Sequence, residues 1–370
     1  MNGRTRMDGL DEGITQPSLR KPDAEWLSTI LGTEISIDQE TDIGASRGFL
    51  STTWRLKLSS SSTEFIPTSL VLKSQSSNPL FSKIAHERRS FEREIAFYRE
   101  LAPSVSARVP NIIAVGDYHD PWLLMEDLTH LRAGDQIKGL SQREVRAVVR
   151  EIASVHASFW QDQKLIKIAW LPVNSFWFSE VDNTIVDAFI EEYGRRIGDR
   201  MVTVLKAVLE QLPLIDQALA TRPFTLVHGD LRADNILLEG SEDNPDAVIL
   251  DWQTTCRSLG AIDLAYLIGG SEPEAERSSH IRESLYLWHG ELVANGVHDY
   301  SINDARRDFQ LGSLRCLAVT VRLYSTLHHQ NTSVRGALYR DETIARYFDL
   351  AESIEAWEAL PSPLTDCHLA

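Results

Sequence analysis

The sequence has little cysteine: Cys256, Cys316 and Cys367 stand far apart and form no C-x-x-C pair. That excludes a disulfide framework and a cysteine-based zinc site, and it points to a reducing compartment. No apolar run approaches the roughly 20 residues that span a bilayer, and the first 25 residues carry no apolar signal-peptide core. The expected location is therefore cytoplasmic. Positive charge is also scarce: 37 Lys and Arg against 53 Asp and Glu leave a formal net charge of −16. A nucleic-acid or anionic-membrane surface would have to be built against that field, whereas a small cationic or neutral substrate would not.

What is present is ordinary for globular protein. The chain has 370 residues, 43% of them hydrophobic, enough for two cores. Residues 1–20 are polar and aperiodic and read as a flexible tail. "KPDAEWLSTILG" reads as a short helix with Pro22 near its start and Gly32 at its end. From 41 to 73 the pattern turns to period two, giving strand, glycine-bearing turn and strand, then a serine-rich loop and "TSLVLKSQ". "HERRSFEREIAFYRELAP" places Phe91, Ile95, Tyr98 and Leu101 at helical spacing, with Pro103 as its stop. "VPNIIAVGDY" and "PWLLMEDL" follow as strands. Residues 21–127 thus read as a small lobe of sheet and helix, and 128–360 as a larger, mainly helical one. The helical lobe opens with "SQREVRAVVREIASVHASFW", where Ser141 and Glu144 stand in capping-box register and Val145, Val148, Ile152, Val155 and Phe159 share a face.

Two polar clusters interrupt apolar runs. "TLVHGDLRADNILLEG", residues 225–240, sets Asp230 and Asn235 at the ends of a loop between two expected strands, and "AVILDWQTT" puts Asp251 at the end of a third. If the strands are neighbours, the oxygens of Asn235 and Asp251 and the carboxylate of Asp230 converge. Sparse, hard oxygen ligands are what Mg²⁺ takes when phosphate oxygens complete its octahedron.

The order Asp-x4-Asn followed by Asp after a hairpin is that of kinase-like phosphotransferases. On "HGDLRADNILL", "ILDWQ" and "LGAIDLAYLI" the sequence resembles the aminoglycoside phosphotransferase and choline kinase superfamily, within it most the ecdysteroid-kinase-like branch. The resemblance implies an α+β, bilobal protein-kinase-like fold, with a small sheet lobe that binds nucleotide and a helical lobe that binds substrate. It implies ATP and Mg²⁺ as cofactors, with Asp230 receiving the acceptor hydroxyl and Asn235 and Asp251 holding metal. Lys73 in "LVLK" and Glu94 in "FEREIAFY" would pair to position the α- and β-phosphates. "GASRGF" would cover the phosphates through its backbone and the Ser46 hydroxyl, and "LLMEDL" would meet adenine through the backbone of Glu126 and Leu128.

Departures from the protein-kinase pattern carry information. Gly229 stands where those enzymes place an arginine before the catalytic aspartate, so no activation-loop phosphate is received there. About ten residues separate Asp251 from the helix-like "AIDLAYLIGG", too few for a segment that docks a protein. Arg232 stands where protein kinases carry a lysine and is read as neutralising the transferring phosphoryl group.

Plainer roles fit several residues. His228 reads as a hydrogen-bonded structural residue rather than a ligand, and His156 as a satisfied core histidine. Asp263 reads as a helix cap or loop support rather than a third ligand. The aromatic "WLPVNSFWF" at 170–178 fits an acceptor pocket or core packing. The expected activity is transfer of the ATP γ-phosphate to an alcohol of a small molecule. A nucleotide-binding pseudokinase scaffold and a protein kinase stand as alternatives, the latter disfavoured by the missing segment.

Overall fold

The computed structural model describes residues 21–44, 51–62, 66–76, 78–117, 120–174, 182–328 and 334–364. Two compact units account for them: residues 1–92 with 112–126, and residues 93–111 with 127–370. Ser46 and Gly48 of the expected phosphate turn, and 175–178 of the aromatic stretch, lie outside the described residues.

The first unit begins with helix α1 (Ala24–Leu31). The Asp23 carboxylate accepts the Trp26 N–H at 2.7 Å as its N-cap, and Gly32 ends the helix in the left-handed region at φ 71°. Strands β1 (Ser36–Asp42), β2 (Ser51–Ser59) and β3 (Ser69–Gln75), helix α2 (Pro79–Glu87), and strands β4 (Ile112–Val115) and β5 (Trp122–Glu126) follow. The strands pair antiparallel in the order β1-β2-β3-β5-β4. Leu56, Leu58, Leu70, Leu72, Trp122 and Leu124 form one core with Leu27 and Ile35, and Trp26 meets Trp122 edge to face at 4.8 Å. Strand β1 starts earlier than the period-two signal because it is an exposed edge strand with little to bury. Its acidic residues Asp38, Glu40 and Asp42 also discourage pairing with a further strand.

The expected helix over 86–103 is broken. α2 ends at Glu87, Arg89 takes a left-handed φ of 53°, and α3 (Ser90–Ala96) then continues as a π-helical turn, Phe97–Leu101, and a 3-10 turn, Ala102–Ser104. Phe91, Ile95, Tyr98 and Leu101, whose spacing predicts the helix, all follow the break and are buried, so the apolar pattern belongs to the part after Arg89 and does not extend to 86–89.

The second unit holds β6 (Arg132–Ala133), α4 (Gln142–Ser158), α5 (Gln163–Lys167), α6 (Asn183–Ile197), α7 (Asp199–Glu210) and α8 (Leu212–Thr221). After them come β7 (Thr225–Val227), β8 (Ile236–Ser241), β9 (Asn244–Ile249), β10 (Cys256–Ser258), α9 (Ala261–Ser271), α10 (Glu274–Ala294), α11 (Ile302–His328) and α12 (Val334–Ser353). Both halves of the capping box on α4 form, Ser141 N–H donating to Glu144 Oε2 at 2.7 Å, and the Val145, Val148, Ile152 and Val155 stripe is fully buried. Helix α9 is buried on almost every side, which fits its apolar composition and its place against α4, α11 and α12. Strands β8 and β9 form a hairpin with β6 at its edge, and β7 pairs with β10. A five-stranded antiparallel sheet followed by a helical C-terminal region is a kinase-like α+β fold. No helix among the described residues is long and apolar enough to cross a membrane.

Candidate active site

The loop between β7 and β8 carries the polar cluster, and buried bonds hold it at both ends. From α9, the Asp263 carboxylate accepts the backbone N–H of His228 at 2.6 Å and of Gly229 at 2.9 Å. His156 Nε2 lies 3.2 Å from the same carboxylate, and its Nδ1 accepts the Trp288 indole N–H at 3.0 Å. Asp263 is thus a loop anchor and His156 a satisfied core residue. His228 Nδ1 accepts the Asp230 N–H at 3.1 Å, which leaves Nε2 to donate to the Leu250 carbonyl at 2.8 Å. One imidazole therefore ties the Asp230 loop to the residue before Asp251.

Gly229 has φ 80°, and a Cβ there would lie 2.7 Å from the Thr254 carbonyl oxygen. The structure so explains why no arginine stands before Asp230: neither the backbone angle nor the space admits a side chain.

At the centre, Asp230 is 8% exposed and Asn235 5%. Asn235 Nδ2 donates to the Asp230 carbonyl at 2.8 Å and to Asp230 Oδ2 at 3.1 Å, so its Oδ1 is the atom left for a ligand. The backbone carbonyl of Asn235 accepts the Leu250 N–H at 2.9 Å, which places the start of β8 beside the end of β9. Asp251 follows with φ 66° and ψ 62°, a left-handed conformation that costs a residue with a Cβ about 1 kcal/mol and concentrates at functional sites. The structure brings Asp230, Arg232, Asn235 and Asp251 together within the second unit.

Burial pushes the Asp230 carboxyl above the usual range; Arg232 and His228 oppose the shift, and the charge of Asp251 adds to it. Arg232 Nε donates to Asp230 Oδ2 at 3.2 Å, and its Nη1 reaches Asp234 Oδ2 at 3.4 Å and the Tyr339 hydroxyl at 3.2 Å. Burial would lower the guanidinium, but Tyr339, Asp230 and Asp234 outweigh it and hold its pKa well above the ordinary value.

The remaining expected residues occupy defined places. Lys73 lies on β3, paired with Thr53 on one side and Leu123 on the other, and is 7% exposed. Glu94 is buried on α3 in the second unit. Glu126 closes β5, and Leu128 is buried with its carbonyl accepting the Leu131 N–H at 2.9 Å.

Three residues beside Asp230 escaped the sequence reading. Tyr266 lies beside the Asp230 carboxylate and acts to lower its pKa, Tyr339 bonds Arg232, and Gln136 holds the loop, accepting the Ala233 N–H at 2.8 Å while its own N–H donates to Asp234 at 3.0 Å. Tyr266 follows Asp263 by one helical turn in "AIDLAYLI", so helical periodicity carried a signal for it. Tyr339 and Gln136 are about a hundred residues from the loop, and no local pattern points to them.

Among the described residues no group of three His, Cys, Asp or Glu side chains is placed to hold a metal. The donors at hand, the Asn235 carbonyl and the Asp251 carboxylate, are hard oxygens. That set suits Mg²⁺ supplied with phosphate oxygens and excludes a closed zinc site.

The chain matches the phosphotransferase enzyme family over residues 44–292. No curated protein matches it in sequence. Among solved structures it resembles one described as a candidate aminoglycoside phosphotransferase from Ralstonia eutropha, at TM-score 0.53 and 14% identity, covering 90% of this chain and 98% of that one. A gentamicin complex of APH(2″)-IIa matches at TM-score 0.51 and 15% identity, over 89% and 99% of the two chains. At such identities the likeness is one of fold, and the ecdysteroid-kinase-like branch is not singled out. Matched over more than half its length, with the kinase-like fold in place, the chain belongs to the phosphotransferase enzyme family.

Proposed function

We propose that the chain is a small-molecule kinase that transfers the γ-phosphate of ATP to a substrate hydroxyl with Mg²⁺. The observation that carries this reading is the buried junction of Asp230 with Asn235 and Arg232, reached electrostatically by Asp251.

Asp230 receives the acceptor hydroxyl and takes its proton as the oxygen–phosphorus bond forms and the bond to the β-phosphate oxygen breaks, releasing ADP. The raised carboxyl makes it a better proton acceptor than an exposed aspartate. Asn235 and Asp251 would hold the metal, which when bound neutralises β- and γ-phosphate charge. Arg232, fixed by two carboxylates, adds positive charge next to the transferring group. Lys73 and Glu94 are proposed as phosphate-positioning residues and the Glu126 and Leu128 backbone as adenine contacts, with Ser46 as a phosphate contact.

The short stretch after Asp251 supports a small acceptor over a protein. A 3-10 turn over Trp252–Thr254 and β10, paired with β7, take up the residues before α9, so no peptide-docking segment stands there. Gentamicin, bound in one of the similar structures, shows a small hydroxylated molecule on this fold.

The test is ADP release with Mg–ATP across hydroxyl compounds. Wild type is expected to turn over slowly with water and faster with an acceptor, and Asp230→Asn to lose roughly 10²-fold or more. Nucleotide binding with no release in any condition would leave the scaffold reading; label appearing on protein substrates would favour a protein kinase.

A further inference from the structure

The turn that follows Asp251 is fastened on either side of Gln253. Trp252 stacks on Phe97 at 4.1 Å, meets the His228 ring edge to face at 4.8 Å, and donates its indole N–H to the Ile249 carbonyl at 3.3 Å. Beyond Gln253, the Thr254 hydroxyl donates to the His228 carbonyl at 2.9 Å and the Thr255 hydroxyl to the Val227 carbonyl at 2.7 Å. These contacts lay the 3-10 turn, Trp252–Thr254, against β7 and the start of the Asp230 loop. The Gln253 side chain makes a different contact: its Nε2 donates to Asp251 Oδ2 at 3.2 Å, two residues back.

The other end of the same amide is left over. Gln253 is 7% exposed, and its Oε1 is buried with no donor among the described residues. A carboxylate only accepts, so the amide faces Asp251 with its nitrogen and its oxygen is turned away as a consequence. An amide oxygen buried unpaired is unfavourable in a way that an apolar side chain of the same length is not. Asp251 is half-buried, so water can donate to its Oδ2 in place of Gln253. For stability alone the glutamine is therefore a poor choice. It stands two residues from a second unfavourable feature, the left-handed backbone of Asp251 at φ 66°. Strain and an unpaired buried atom kept side by side mark a carboxylate that has to point in one direction.

Resting on the kinase reading above, we propose that Gln253 is a positioning residue that holds the Asp251 carboxylate in its metal-binding orientation, with its own buried oxygen left unpaired. The amide donor fixes Oδ2, and with it the torsion that sets the direction of both carboxylate oxygens. Supports of this kind behind a metal ligand change affinity for the ion without touching it.

The experiment titrates ADP into the full chain by calorimetry, with and without Mg²⁺, beside a thermal melt of the unliganded protein. Gln253→Met keeps the length of the side chain and removes both polar atoms. It is expected to weaken Mg²⁺-dependent ADP binding roughly tenfold or more, to leave ADP binding without metal unchanged, and to melt at or above the wild-type temperature. Mn²⁺ titrated into the ADP complex and followed by electron paramagnetic resonance should show the same loss of metal affinity. A merely structural contact predicts the reverse: a lower melting temperature, with the two ADP affinities falling together. That outcome, failure of Gln253→Met to fold, or metal affinity equal to wild type would overturn the proposal. The two layers separate in the wild-type titration: no binding of ADP with Mg²⁺ defeats the kinase reading itself, whereas wild-type binding that Gln253→Met retains in full defeats only this inference.

Discussion

Asp251 shows how a single residue can be held in an unfavourable state for a purpose. Its backbone is left-handed at φ 66°, and the carboxylate it aims raises the pKa of Asp230. Asparagine tolerates this region better than most residues and keeps the size, so Asp251→Asn should melt within about 1 kcal/mol of wild type while losing Mg²⁺-dependent turnover. A thermal melt beside an ADP-release assay checks both halves. Asp230 carries a second expectation at this scale. A carboxyl raised by burial is ionised, and competent as a base, only above its shifted pKa. The acid limb of kcat/KM should therefore fall at a pH above the roughly 3.9 of an exposed aspartate. A pH–rate profile with that limb at or below the ordinary value would contradict the assignment.

Secondary-structure elements deliver these residues from buried supports. Helix α9 presents Asp263 to the His228 and Gly229 N–H groups and, one turn on, Tyr266 to Asp230. Helix α12 brings Tyr339 to Arg232 and, through Arg346 bonded to the Gln136 carbonyl at 2.7 Å and the Ile137 carbonyl at 2.6 Å, braces the strand of chain that holds the loop. Helix α4 is the element whose start was readable residue by residue. Ser141→Ala removes one half of its capping box and should cost about 1 kcal/mol of unfolding free energy, measured by urea denaturation, with little change in KM. Where elements were misread, the cause was an exposed edge, as in β1, or a polar stretch with no apolar spacing of its own, as at 86–89 between α2 and α3. Neither leaves a period in the sequence.

At the scale of the whole molecule, stability should carry a pH signature from a buried pair that joins α8 to α11. Asp308 on α11 is fully buried, accepts the Tyr300 hydroxyl at 2.9 Å and pairs with Arg222 at the end of α8. Burial raises its pKa to about 6 against the pull of Arg222 and Tyr300. The folded state therefore binds this proton more tightly than the unfolded chain. Its contribution to stability is full below about pH 4 and is lost as pH rises through 6. Relative to Asp308→Asn, wild type should lose on the order of 2 kcal/mol between pH 4 and pH 7, read from paired urea titrations. A constant difference between the two proteins across that range would contradict it.

Much of the Asp230 site was readable because its residues lie within one loop and one hairpin. Asp230, Asn235 and Asp251 are set by strand ends whose apolar runs mark them, and the short connection to α9 is a matter of counting. Sequence by itself determined the fold class, the family and the polar cluster, since local patterns and spacing encode them. The tertiary structure alone decided that Gly229 is required by the Thr254 carbonyl, that Arg232 is clamped between two aspartates, and that Tyr339 arrives from a helix a hundred residues away. Those facts depend on which surfaces pack together, and burial and charge pairing between distant segments leave no mark on local periodicity.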